Sequence, residues 1–364
     1  MQGRDGFASS IYGLLFWLSL LETMAAVLRL RGLRITGRLT QVCIAPTLFL
    51  ALRQLRRDGR RAWLTLALTS LPALIGHLAL ASWRNRALDP RLRLRPGIYA
   101  DRQISRLDIP TATGPVPALY VVPHAETRTA VCVAHGSGCN KTFYAWPIVD
   151  MLLRQNMAVL LIDLDGHGES PRPQAFPAIV HNIIGSLEWL RIRHERVGVI
   201  GVSLGGCVAL RAVADTAMAD ALVVLEAPIW LWYTRWHMLR EVLWLLQPAV
   251  LRLLRDGSPY HIVHAWESPR IRATIGTRDL IEALDVIGSL QRITATAHGL
   301  PLLLIYGGSD AIVPPVQARQ VARVMPPWGT LHLLPHASHL SLPIDPRTLR
   351  LIADWLREML ITDG

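Results

Sequence analysis

At 364 residues the chain is long enough for one large catalytic domain plus an accessory region, and just over half of its residues are hydrophobic, which is high for a purely soluble protein. The net charge of +11 resembles a nucleic-acid footprint until it is placed along the chain: residues 1–102 hold 16 basic and 5 acidic side chains, and the other 262 hold 22 of each. The excess lies beside apolar runs, which suits lipid headgroups better than a nucleic-acid groove, so nucleic acid is excluded as a partner.

The first hundred residues read as a membrane-associated helical region, residues 1–98. Ile11 to Leu28 is an apolar run broken only by Glu22. Ala62 to Trp83 is 22 residues without a charge, about 33 Å of helix and enough for a bilayer core. Trp63 and Trp83 stand at its ends, flanked by Arg60, Arg61, Arg84 and Arg86, as interfacial residues do. Transmembrane helices are therefore expected over 11–28 and 62–83, with Thr40 to Leu52 too short to span. Membrane lipid becomes a partner and the membrane the location. Arginines crowd every loop, so the side on which the rest of the chain lies has no charge contrast to mark it.

From about Arg102 the pattern becomes short β-branched or leucine-rich runs alternating with helical stretches. Gln103–Ile109 and Pro117–Val122 form a hairpin around Thr113-Gly114-Pro115. Strands follow over Thr129–Ala134, Ala158–Asp163, Val197–Val202, Ala221–Glu226, Pro301–Tyr306 and Thr330–Leu334. Helices are expected over Phe143–Gln155, Ala175–His194, Leu204–Asp215, Val316–Val324 and Pro346–Leu360. The result is an α/β fold with an eight-stranded, mostly parallel sheet. The rhythm stops between Pro228 and Leu300, a stretch rich in tryptophan, which reads as a helical cap (228–300) inserted into a core of 99–227 and 301–364. Cys43, Cys132, Cys139 and Cys207 have no metal-ligand spacing and read as reduced, structural residues.

Chemistry concentrates at the strand ends. Strand Val197–Val202 runs into Gly201-Val202-Ser203-Leu204-Gly205-Gly206 and then a helix, the strand–turn–helix setting that exposes a nucleophilic serine. Gly201 and Gly205 let strand and helix pass closely. His135-Gly136-Ser137-Gly138 follows an earlier strand, and the N–H groups of Ser137 and Leu204 are the expected oxyanion donors. Asp310 follows the next-to-last strand, and His339 follows the last. Ser203, Asp310 and His339 are thus the candidate nucleophile, acid and base.

These motifs, with Asp163-x-Asp165-Gly166-His167-Gly168-Glu169-Ser170, stand in the order found in α/β-hydrolases. From about residue 100 to the end, the chain resembles a capped esterase, lipase or lysophospholipase of that superfamily. Asp165 departs from the arginine common before Gly-His-Gly, a position that bears on local packing. The resemblance favours His339 over His336, His332 and His264, and leaves Glu226 as a supporting or cap-hinge carboxylate and competitor to Asp310. It implies acyl transfer through Ser203 with no metal and no organic cofactor, on a small-molecule or lipid ester. The same triad serves peptidases, amidases and acyltransferases, and a non-catalytic scaffold is the alternative of another class.

Overall fold

The computed structural model of the chain describes residues 94–143, 145–244 and 271–361. The membrane segments expected at 11–28 and 62–83 lie outside them; among the described residues no helix is long and apolar enough to cross a membrane.

A nine-stranded sheet forms the centre. In chain order its strands are β1 (Gly97–Ile98), β2 (Arg102–Ile109), β3 (Val116–Pro123), β4 (Thr129–Ala134), β5 (Ala158–Ile162), β6 (Arg196–Val202), β7 (Ala221–Leu225), β8 (Leu302–Gly307) and β9 (Thr330–Leu334). Their spatial order is β1-β2-β3-β5-β4-β6-β7-β8-β9. The first four in space pair antiparallel, and everything from β5 onward is parallel. The sheet therefore has one strand more than the eight expected. It also begins earlier than residue 99, because Gly97 and Ile98 pair with Ile104 and Gln103, and Leu94 is buried beneath them. Two residues are too few to show alternation, which is why the sequence pattern does not reveal this strand.

Each central strand feeds two cores, because successive side chains point to opposite faces. Along β4, Ala130, Cys132 and Ala134 join one apolar cluster, while Val131 and Val133 join the other. One face is covered by α1 (Ala145–Arg154) and α8 (Pro346–Leu360). The latter starts at Asp345, whose side chain accepts from the Arg347 N–H, with Pro346 in the first turn. It buries Leu349, Ile352, Ala353, Leu356 and Leu360, an apolar stripe at helical spacing.

The opposite face carries α2 (Val180–Arg191), α3 (Leu204–Thr216), α5 (Thr277–Leu284), α6 (Val286–Thr296) and α7 (Pro315–Ala322). Helix α2 starts later than the Ala175 expected, since Pro177 sits in the irregular turn before it. Helices α5 and α6 correct the cap assignment. Leu280, Ile281, Leu284, Leu290 and Ile293 are fully buried in the cluster that includes α3, so residues 277–296 belong to the core layer, not to a lid. What remains of the expected cap among the described residues is α4 (Arg235–Trp244) and its approaches. Its outward side chains Trp232, Trp236 and Leu239 are exposed.

Candidate active site

The site is built where β4, β6, β8 and β9 end. Strand β6 stops at Val202, and Ser203 takes φ +52° and ψ −116° before α3 begins. A side chain in that backbone region is strained and persists only when its surroundings hold it. Here the Ser203 N–H donates to the Leu225 carbonyl at 2.7 Å, and the Gly206 N–H donates to the Ser203 carbonyl at 2.9 Å. A Cβ on Gly201 would lie 2.5 Å from the Gly205 carbonyl oxygen, and one on Gly205 would collide with the Ala134 carbonyl. Backbone therefore runs against backbone on both sides of the turn, and the hydroxyl faces the adjoining cavity.

His339 Nε2 lies 3.1 Å from Ser203 Oγ, and His339 Nδ1 lies 2.8 Å from Asp310 Oδ2. The other oxygen of Asp310 accepts from the N–H groups of Ile312 and Val313 at 2.7 and 2.6 Å, which fixes its carboxylate. Burial alone would lower the imidazole pKa; Asp310 beside it, and Glu241 further off, raise it above its ordinary value instead. The geometry is a proton relay, with a base in reach of a hydroxyl and an acceptor holding the base's far nitrogen. Of the other histidines weighed, His332 sits within β9 opposite Ile305, and His336 is exposed in the loop beyond it. His264 lies outside the described residues.

The loop after β4 completes the wall. Gly136 approaches so closely that a Cβ there would lie 3.3 Å from Ser203 Cβ. Gly138 takes φ +74°, a conformation glycine adopts at no cost. Its neighbour Ser137 lines the cavity, while Leu204 opens α3, so its N–H is one of the four that a helix start leaves without an intrahelical partner. His135 lines the same cavity with both ring nitrogens engaged. Its Nε2 accepts from the Leu164 N–H at 3.2 Å, so its Nδ1 carries the proton and donates to the Gly136 carbonyl at 2.8 Å. Burial first, and then His167, push its imidazole down to about 4, so it stays neutral and braces the loop.

An ionic knot joins Lys141 to Asp163 and Glu169, two members of the Asp163–Ser170 motif. Lys141, the only lysine in the chain, donates from Nζ to Asp163 and, at 2.8 Å, to Glu169. Asp163 also accepts the N–H groups of Lys141 and Glu169, at 2.7 and 2.8 Å. Gly168 is obligatory because a Cβ there would overlap the Asp163 carboxylate. Asp165, the departure from the family pattern, is buried and pairs with Arg172 at 2.8 Å while accepting from Ser170 Oγ at 3.0 Å. It ties its own loop and touches no reacting group.

Glu226 stands much closer to the chemistry than a cap hinge would. It follows β7 at φ +52°, is fully buried, and places Oε2 3.4 Å from His339 Nδ1. Burial pushes its carboxyl well above the ordinary range, and the nearby Asp310 and Glu241 push it further. Both effects favour the protonated carboxyl of Glu226 over its carboxylate. Ligand atoms of Glu226, Asp310 and His339 lie within 4.8 Å of one another, as a metal site would need. Both Asp310 oxygens already accept hydrogen bonds, so the group reads as a relay.

The folded protein keeps the Glu226 proton that the unfolded chain loses above the ordinary value of 4.5. Stability is consequently lost as pH rises from that value toward the raised one, by about 1.4 kcal/mol per pH unit. Glu226→Gln removes the titration. Its melting temperature relative to wild type is expected to climb as pH rises above that ordinary value, measured by calorimetry. Parallel pH dependences would contradict the assignment.

A parallel sheet in this order, with a serine at the β6–α3 turn and an aspartate and histidine after β8 and β9, defines a serine-type α/β hydrolase. The chain belongs to the family described as serine aminopeptidase, S33, whose model matches residues 125–346. Uncharacterised proteins of Mycobacterium tuberculosis and Mycobacterium bovis are each 26% identical to it over 259 residues, 61% of this chain and 73% of theirs. Among solved structures, an esterase from Pyrococcus furiosus superposes with a TM-score of 0.52 at 19% identity, covering 71% of this chain and 92% of its own. The α/β hydrolase GrgF from Penicillium sp. sh18 gives 0.56 at 16% identity, covering 71% and 99%. At such identities the solved structures speak to the fold alone.

Proposed function

We propose that this protein cleaves lipophilic carboxylic esters through an acyl-enzyme on Ser203. The observation that carries this reading is the Ser203–His339–Asp310 chain, at 3.1 and 2.8 Å, opening into a cavity of about 250 Å³. His339 Nε2 takes the hydroxyl proton as Ser203 Oγ attacks the ester carbonyl. The N–H groups of Ser137 and Leu204 receive the developing oxyanion. The protonated imidazole then gives its proton to the leaving alcohol, and water, activated by the same nitrogen, releases the acid and regenerates the serine. Asp310 fixes the imidazole tautomer and stabilises its cation.

The cavity wall favours an acyl chain. Phe143, Ile148, Leu231, Met238, Ile281 and Ile312 contribute to it, in keeping with pockets that bind through apolar area and a few placed polar groups. We prefer esters over peptide substrates on the apolar character of this wall, and the apolar N-terminal runs make a lipid ester the favoured source.

The test is a panel of p-nitrophenyl esters from acetate to palmitate, run beside aminoacyl-p-nitroanilides. We expect kcat/KM to rise by about tenfold or more from the acetate to a medium-chain ester, since each buried methylene contributes ~0.8 kcal/mol. Preference for the anilides, or indifference to chain length, would contradict the substrate assignment while leaving the nucleophile untouched.

A further inference from the structure

Helix α4 carries a buried carboxylate that the reaction does not use. Glu241 is fully buried. One of its oxygens accepts the N–H of Ala311 at 2.7 Å, and the other accepts the N–H of Leu340 at 3.2 Å. Those two amides come immediately after Asp310 and His339. A single planar group, on a helix some 70 residues away from one loop and 99 from the other, therefore spans the acid loop and the base loop. Both amides thus donate to the two oxygens of one carboxyl group.

The rest of the helix explains how the carboxylate is delivered. The stretch leading into α4 is pinned by Gln317 of α7, whose Oε1 accepts the Ile229 N–H at 2.7 Å while its Nε2 donates to the Trp230 carbonyl at 3.0 Å. Met238, one turn before Glu241 and on the same side of the helix, lines the substrate cavity. The element that shapes the pocket also holds the two loops that orient the base.

We propose that Glu241 is a positioning residue for the Ser203 chemistry: its carboxylate clamps the Asp310 and His339 loops together, so that the relay is aligned only while α4 is seated. This rests on the reading of Ser203 as nucleophile. Without the clamp the two loops lose their shared anchor, and a displacement near 1 Å at the imidazole is enough to cost about a hundredfold in rate.

The test compares full-length wild type with Glu241→Gln and Glu241→Ala, counting active molecules by labelling with a fluorophosphonate. Gln keeps one oxygen to accept an N–H but turns an NH2 toward the other, so it should retain half of the clamp. We expect kcat per folded molecule to fall about tenfold in Glu241→Gln and about a hundredfold in Glu241→Ala, with KM within about threefold. The downfield His339 Nδ1–H proton resonance should broaden or disappear in step. Full kcat with that resonance intact overturns the proposal, as does a rise in KM alone, which would assign Glu241 to the pocket wall. Should Glu241→Ala fail to fold, Glu241→Gln decides between the same outcomes. A wild type that fails to label overturns the nucleophile reading and the clamp together, whereas variants that label at the wild-type rate overturn only the clamp.

Discussion

Replacing Ser203 with alanine is expected to lower kcat roughly a millionfold and to abolish covalent labelling, while leaving the fold intact. The size follows from the arrangement. The oxygen lost is the atom 3.1 Å from His339 Nε2, and no other hydroxyl is placed at that nitrogen by the described hydrogen bonds. What survives is the contribution of binding and the oxyanion donors, worth roughly 10³-fold over water. Alanine also keeps the Cβ, so the strained turn at φ +52° need not rearrange. Its melting temperature and ester turnover, measured on the same preparation, check both halves of the statement. Retention of more than about a hundredth of the activity would remove Ser203 from the mechanism.

Asp310→Asn should cost about 10⁴-fold in kcat, against about threefold for Glu226→Gln. Two buried carboxyls face His339 Nδ1, at 2.8 Å for Asp310 and 3.4 Å for Glu226. Only Asp310 is anchored, by two N–H groups on its other oxygen. Glu226 is the one in which burial and its neighbours favour the neutral carboxyl, so a neutral amide is the milder replacement there. An amide at 310 instead presents an NH2 to Nδ1, which forces the imidazole into the tautomer that cannot accept the serine proton. Measuring kcat/KM for both single variants at one pH decides between the carboxyls. If Glu226→Gln is the more damaging, the acid has been assigned to the wrong strand.

The elements that carry the chemistry are legible in the sequence because their requirements are local. Gly201 and Gly205 answer to backbone contacts within the same turn or one strand away, and a strand–turn–helix pattern advertises them. The buried strands read as apolar runs for the same reason. Layer assignment is different. The pattern Leu280, Ile281, Leu284 marks an amphipathic helix, but nothing local says that its apolar face meets α3 rather than a lid, and so residues 277–296 read as cap. Glu226 is visible as a position after β7. Its raised pKa is not, because that depends on burial and on Asp310, far along the chain. Glu241 is invisible for a stronger reason: its partners are backbone amides, which every sequence supplies everywhere, and only the fold selects which two come within reach.

Catalysis through Ser203 requires a covalent intermediate on one oxygen atom. Acid quenching of the enzyme during turnover of a medium-chain p-nitrophenyl ester, followed by peptide mass spectrometry, reads it directly. The acyl mass is expected on the peptide carrying Ser203, present in wild type, accumulating further when deacylation is slowed, and missing from Ser203→Ala. An acyl group on another residue, or hydrolysis with no adduct at any quench time, would contradict the mechanism.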